Sequence, residues 1–338
     1  MADSADSSQL VALLVLSTIL TAIAFIIVLL RLLVRCIILY KPGMDDGMMF
    51  GAMLFTIAYL ATIYVSKTYG GLGRSMLTLS SEEMSTFLKV TFAIELIYYT
   101  IIFCVKSSII FMYQRFAIWD TFKRLCIGTN IVLTAFYIAC IGGTIGQCTP
   151  VEKAWDITRL LPGSCINTTA FFYFTSGFSI IADLWIILLP LPTLRALKIS
   201  PHTRYILYAI FGAGLFATAM SIVRLYSIHI FTLATDPFKD GVLVNLWSMV
   251  EVTVAIVCAS VPALKPLATP RKLLDERRKR SGYASHVPKP FSRSSKMDRL
   301  SSASQSHIAR PMTPNRTDSP RSFPPDDNSG FSIPLHTL

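Results

Sequence analysis

The chain has 338 residues, of which 53% are hydrophobic and 15% charged, and its mean hydropathy is +0.54. That balance excludes an ordinary water-soluble globular domain. The net charge of +11 invites a nucleic-acid partner, but from Lys265 onward there are 14 Lys and Arg against 6 Asp and Glu, an asymmetry that reads as membrane topology, with no nucleic acid expected.

Residues 1–9 carry Asp3 and Asp6 and no basic residue, so the apolar run beginning at Leu10 reads as a permanent first span rather than a cleaved signal. Uncharged runs of about 20 residues match the length a helix needs to cross roughly 30 Å of hydrocarbon. They predict spans at residues 10–33, 47–65, 87–113, 125–146, 169–194, 205–231 and 242–264. The third contains Lys89, Glu95 and Lys106 and is the weakest by hydropathy. Charge distribution supports it. With seven spans, the inner connections hold Arg31, Arg35, Lys41, Arg115, Lys123, Arg124, Arg195, Lys198 and Arg204, whereas the outer ones hold Lys67, Arg74, Lys153, Arg159 and Lys239. The positive-inside rule then puts the N-terminus outside and the C-terminus in the cytosol. The expected organisation is all-α: a short extracellular segment 1–9, a seven-transmembrane bundle 10–266, and a disordered basic cytosolic tail 267–338. Small residues at Gly142 and Gly146, and at Ala213, Ala217 and Ser221, are spaced for close helix packing. Pro190 and Pro192 are expected to end or kink span five.

Cys148 and Cys165 share one outer loop with 16 residues between them. A disulfide is the expected state, against two free thiols or pairing elsewhere. Asn167-Thr168-Thr169 is a glycosylation sequon on the same side. Inside the spans, Glu95 and Glu251 lie at similar depths and Arg224 reaches the same level from the other end, so Arg224 is expected to pair with either or both. Lys106 lies deeper, within reach of Asp183 or of the Asp45/Asp46 doublet that opens span two. Three roles compete for this polar network: ion pairs that fix helix register, a ligand pocket or switch, and a proton or ion path. Arg115 reads as a snorkelling anchor.

Span seven has neither an NPxxY-like sequence nor a lysine for a retinal Schiff base. Nucleotide-loop, zinc-protease and serine-hydrolase signatures are absent too, so no catalytic role, cofactor or metal is expected. Gly70, Gly71 and Gly73 read as an outer turn. In the tail, Arg271, Lys272, Arg277, Arg278, Lys279 and Arg280 are expected to contact anionic lipid, with Ser281, Ser301, Thr313 and Ser319 as phosphorylation candidates that would weaken the contact.

The order of Lys41-Pro-Gly-Met-Asp-Asp46, Tyr69-Gly-Gly-Leu-Gly-Arg74, Lys106 to Arg115, Cys148-Thr-Pro150 with Trp155 and Cys165, Asp183 to Pro192, and Cys258-Ala-Ser-Val-Pro262 resembles the fungal rhodopsin-domain membrane proteins. These include receptor-like proteins linked to plant infection and membrane proteins of the satratoxin-cluster type. The resemblance runs from about residue 25 to 266 and implies a seven-helix fold in a fungal plasma membrane or endomembrane. Two functions follow from it as expectations. One is a receptor-like sensor of a small or apolar ligand with a cytosolic signalling partner. The other is an accessory membrane protein of a secondary-metabolite pathway that moves a product or assists its processing.

Overall fold

The computed structural model describes residues 2–38, 40, 42–117, 119–158, 160–191, 201–233 and 236–264. Among them seven long helices follow in order: α1 (Ala2–Leu32), α2 (Met44–Tyr69), α3 (Ser81–Phe116), α4 (Asp120–Ile145), α5 (Thr168–Leu188), α6 (Pro201–Leu233) and α7 (Pro237–Leu264). A π-helical turn, Leu33–Ile38, continues α1. Each helix contains a stretch long and apolar enough to cross a membrane. Large apolar side chains face outward from the bundle, among them Ile26, Ile131, Ile138, Phe174 and Ile181. Such a surface would be unfavourable in water and is at home in lipid.

Most helices outrun the predicted spans, because their ends are set by caps as well as by hydropathy, while α5 ends at Leu188, short of the expected residue 194. Ser80 Oγ accepts the Glu83 amide at 3.3 Å while Glu83 Oε2 accepts the Ser80 amide at 2.9 Å, a reciprocal box that starts α3 six residues before Phe87. Asn167 Oδ1 accepts the Ala170 amide at 3.0 Å and starts α5. At its other end α5 stops at Leu188, two residues before Pro190; Pro192 lies outside the described residues, as does the tail from Lys265 with Ser281, Ser301, Thr313 and Ser319.

α1 packs on α2 and α7, α6 lies between α5 and α7, and α3 contacts α2, α4, α5 and α7. The third span, least apolar in sequence, is thus the central one. The main apolar core joins α1, α2, α3 and α7 through residues such as Leu13, Met49, Ile101, Met249 and Ile256. A smaller one joins α3, α4 and α5 around Ile110, Cys126, Leu133 and Ile186. The small residues act differently from expectation: Gly142 faces open space and Gly146 ends α4, whereas Gly143 and Gly214 allow the close approaches, to the Phe171 ring and to Ile187. Ala217 lines an internal cavity, Ser221 is buried, and Ala213 lies outside the described side chains.

At one end of the bundle, Cys148–Thr149 and Ser164–Cys165 form a two-residue antiparallel ladder, with Cys148 opposite Cys165. Their sulfurs form a disulfide with Cα atoms 4.1 Å apart. Cys36, Cys104, Cys126, Cys140 and Cys258 are free. At this disulfide end the α2–α3 turn is tied to α7: the Gly73 amide donates to Phe238 O at 3.1 Å, and Asp236 accepts from Ser75 Oγ at 2.8 Å. Gly71 has φ +63°, and a Cβ there would lie 2.0 Å from Leu79 Cδ2. Gly71→Ala is therefore expected to destabilise the protein by about 1–3 kcal/mol, combining a left-handed backbone with a clash. Thermal unfolding of the purified protein checks it; a midpoint equal to wild type would show that the turn relaxes freely.

Candidate functional site

Helical periodicity brings four polar stripes to one interior. On α3, Glu95, Tyr98, Tyr99, Ile102 and Lys106 recur every three to four residues; on α5, Phe172, Thr175, Ser176, Ser179 and Asp183; on α6, Ala217, Ser221, Arg224 and Ile228; on α7, Asn245, Ser248, Glu251 and Ala255. Between these stripes and α2, at the disulfide end, lies a cavity of about 420 Å³. Phe87, Phe92, Phe172, Ile228 and Phe231 wall it, the loop residues Cys148, Lys153 and Cys165 roof it, and Glu95, Arg224, Asn245 and Ser248 give it polar positions. The roof is braced by Trp155, whose ring meets Phe92 edge-on at 6.1 Å and lies 6.0 Å from Lys89 Nζ. Lys153 Nζ donates to Gly163 O at 2.6 Å.

Below the cavity runs a chain of charged groups. Arg224 Nε lies 2.5 Å from Glu251 Oε2, a charge contact rather than a well-aligned hydrogen bond. Arg224 Nη2 donates to Ser176 Oγ at 3.2 Å, and its guanidinium sits 4.7 Å from the Tyr98 ring centroid. Tyr98 OH donates to Glu251 Oε2 at 2.8 Å. Ser221 Oγ is 2.6 Å from Glu251 Oε1 and 3.2 Å from Asp183 Oδ2. A hydroxyl has one proton, so Ser221 can donate fully to only one carboxylate at a time. Asp183 Oδ1 in turn meets Lys106 Nζ at 2.9 Å, and Lys106 also donates to Ser179 O and Oγ at 2.7 and 2.9 Å. The chain holds two cations and two anions. A second cavity, of about 90 Å³, lies on its far side and is lined by Lys106, Asp183, Ser221 and Glu251 with Cys258 and Pro262.

A separate ion cluster occupies the opposite end of the bundle. Arg31 is fully buried. Its Nε meets Asp46 Oδ1 at 3.0 Å, its Nη2 meets Asp45 Oδ2 at 2.9 Å, and its Nη1 donates to Ala259 O at 2.8 Å. Arg35 and Arg115 approach Asp45 at 3.5 and 3.6 Å, and Ser108 Oγ donates to Asp45 O at 2.7 Å. One cluster therefore joins α1, α2, α3 and α7.

The placements choose among the alternatives of the sequence reading for Arg224 and Lys106, and depart from it at Arg31 and Arg115. Of the two acids considered for Arg224, it is Glu251 that contacts it; Glu95 makes no hydrogen bond or ion pair among the described residues, and its Oε2 is enclosed. Lys106 meets Asp183, while Asp45 and Asp46 meet Arg31, which sequence placed among connecting-loop charges. Arg115 is more than a lipid anchor, since Asp45 holds it. Asn167 caps α5 through its side-chain oxygen. Sequence reasoning missed Ser221, Tyr98 and Arg31. The stripe spacing could have found the first two; no local signal marks Arg31.

Seven membrane helices around a loop-covered cavity and an interior ion chain make this an integral, multi-pass membrane protein. Its residues 30–270 match the fungal rhodopsin domain, and the chain belongs to that family. It is 28% identical over 232 residues to the SAT4 family membrane protein of Emericella nidulans, covering 67% of this chain and 55% of that one. It is 26% identical to Receptor GIN3 of Arthrobotrys oligospora, covering 63% and 51%. With Satratoxin biosynthesis SC1 cluster protein 4 of Stachybotrys chartarum it shares 25% identity, covering 48% and 59%. The chain thus spans about half the length of the curated relatives it matches. No solved structure matches it.

Proposed function

We propose that this protein is a receptor-like membrane protein that binds a small apolar ligand in the 420 Å³ cavity and responds by rearranging the Arg224, Glu251, Ser221, Asp183 and Lys106 chain. One observation carries this: the polar floor of a cavity of ligand size is one end of an ion chain whose other end lines a second cavity. Because the Ser221 hydroxyl has one proton and three acceptors in reach, Glu251 at 2.6 Å, Asp183 at 3.2 Å and the Ala217 carbonyl at 3.3 Å, the chain has alternative hydrogen-bonding arrangements. A ligand that contacts Arg224 would favour one of them, which is the differential interaction a switch requires. The basic residues concentrated at the Arg31 end support a cytosolic position for that end under the positive-inside rule, with the disulfide end outside. A signalling partner would then meet the Arg31 end and the tail. No catalytic step is assigned to the chain.

A second reading is favoured by the similarity to the satratoxin-cluster protein: the same cavity would hold a pathway product for export or processing, without a switch. Cys258 separates the two. It is a free, half-buried thiol lining the second cavity, so its alkylation rate reports on the far side of the ion chain. In a Cys36→Ser background, fractions of an apolar fungal culture extract are screened for thermal stabilisation of the purified protein. The expected result is a stabilising fraction that also changes the Cys258 alkylation rate. Stabilisation with an unchanged rate would favour the accessory reading. If no fraction stabilises the protein, the cavity is not a ligand site.

A further inference from the structure

Among the described residues, the cavity has one carboxyl group that makes no ion pair or hydrogen bond, Glu95. Glu95 projects from α3 about one helical turn, roughly 4.5 Å, toward the disulfide end from Tyr98, and it lines the cavity. The other ionic groups there have partners of their own. Arg224 is held by Glu251, Ser176 and the Tyr98 ring, and Lys153 donates to Gly163 O in the roof. Neither forms an ion pair with Glu95 within 4 Å. Glu95 Oε2 is enclosed and has no hydrogen-bond donor. A carboxyl group left so in a low-dielectric interior is costly, and proteins retain such groups where a ligand supplies the missing partner.

The surroundings narrow the partner. Phe92, Tyr99 and Phe172 border the same cavity, and aromatic faces beside a carboxylate are the chemistry that recognises organic cations. Phe87, Leu88, Ile94, Ile228 and Phe231 add apolar wall, and Asn245 and Ser248 add neutral polar positions, so the cationic group would be carried on a largely apolar body. We infer that the cavity binds an apolar small molecule bearing a protonated amine, with the ammonium group paired to Glu95. The inference rests on the cavity being the ligand site, and the test separates failure of the two.

The full-length protein, purified in detergent, is titrated with phenylbutylamine, phenylbutanol and phenylbutanoate, three probes of one shape that differ in charge. Thermal stabilisation gives the apparent affinities. The amine is expected to bind the wild type most tightly, with a loss of roughly tenfold in Glu95→Gln, the scale of a charge-assisted hydrogen bond. Glu95→Asp should keep the preference, and Glu95→Gln alone should fold and melt no lower than wild type, since it removes a carboxylate without a partner. Equal binding of amine and alcohol, a preference for the carboxylate, or an amine preference that survives in Glu95→Gln would overturn the cation assignment and leave the cavity standing. No stabilisation by any probe, or stabilisation unchanged when Thr91→Trp fills the cavity, would remove the ligand site itself.

Discussion

Arg31→Met is expected to destabilise the protein by about 3–5 kcal/mol, a large share of its total stability. Arg31 is fully buried, and it supplies the short contacts to both carboxylates, at 2.9 Å to Asp45 and 3.0 Å to Asp46. Without it Asp45 keeps only the longer approaches of Arg35 and Arg115, and Asp46 keeps the Gly43 amide at 3.2 Å. The Ala259 carbonyl loses its donor from α1 as well. Breaking one side of a buried ion pair typically costs about 3–5 kcal/mol, against a total stability of about 5–15 kcal/mol for a folded domain. Most of that cost lies in the stranded acids rather than in the lost attraction. Arg31→Met combined with Asp45→Asn and Asp46→Asn should therefore recover much of the lost stability. Thermal unfolding and the yield of monodisperse protein decide it. A single variant as stable as wild type, or a triple variant worse than the single, would show that the cluster does not hold the four helices together.

The same cluster shows where sequence reasoning stops. Depth along a helix can be read from the chain, so Glu95, Arg224 and Glu251 were recognisable as residues of one level. Rotation about the helix axis decides which of them meet. Arg31 was read as a connecting-loop charge because it stands near the end of an apolar run, where an arginine usually reaches toward water. Its burial follows from α7 packing on α1 and α2 folding back to place Asp45 and Asp46 beneath it, facts of tertiary structure with no local trace. The disulfide was legible because both cysteines lie in one short loop.

The span positions were legible for a different reason: lipid imposes a length and a composition on each helix. Helix α3 was the hardest because Lys89, Glu95 and Lys106 lower its apolar character; Glu95 and Lys106 belong to the polar face that looks inward, whereas Lys89 is exposed and lies over the Trp155 ring. The start of α3 was written in Ser80 and Glu83 as a capping signature, though hydropathy alone placed it later. Ser221 belonged to a repeat of small residues and so looked like packing. Its hydroxyl turns out to bridge Glu251 and Asp183, a role that depends on both acids arriving from other helices.

Arg224→Met should destabilise the protein by about 2–4 kcal/mol, less than the Arg31 substitution although both remove a buried guanidinium. The difference lies in what is left behind. Glu251 without Arg224 still accepts Tyr98 OH at 2.8 Å and Ser221 Oγ at 2.6 Å, so two of its lone pairs remain satisfied. Glu251→Gln leaves the opposite defect, a buried cation with Ser176 and an aromatic face as its remaining partners, and turns an amide NH2 or a neutral oxygen toward it. Each single variant thus carries an unpaired charge that the double variant, Arg224→Met with Glu251→Gln, does not. The double variant is expected to lose less stability than the two singles added together, with a coupling of roughly 2 kcal/mol, well above the scatter of about 0.5 kcal/mol seen for independent sites. Thermal or chemical unfolding of the four proteins in one detergent supplies the cycle. Additive losses would mean that Arg224 and Glu251 act separately, and the cavity floor would then have no ionic connection to Ser221 and the groups beyond it.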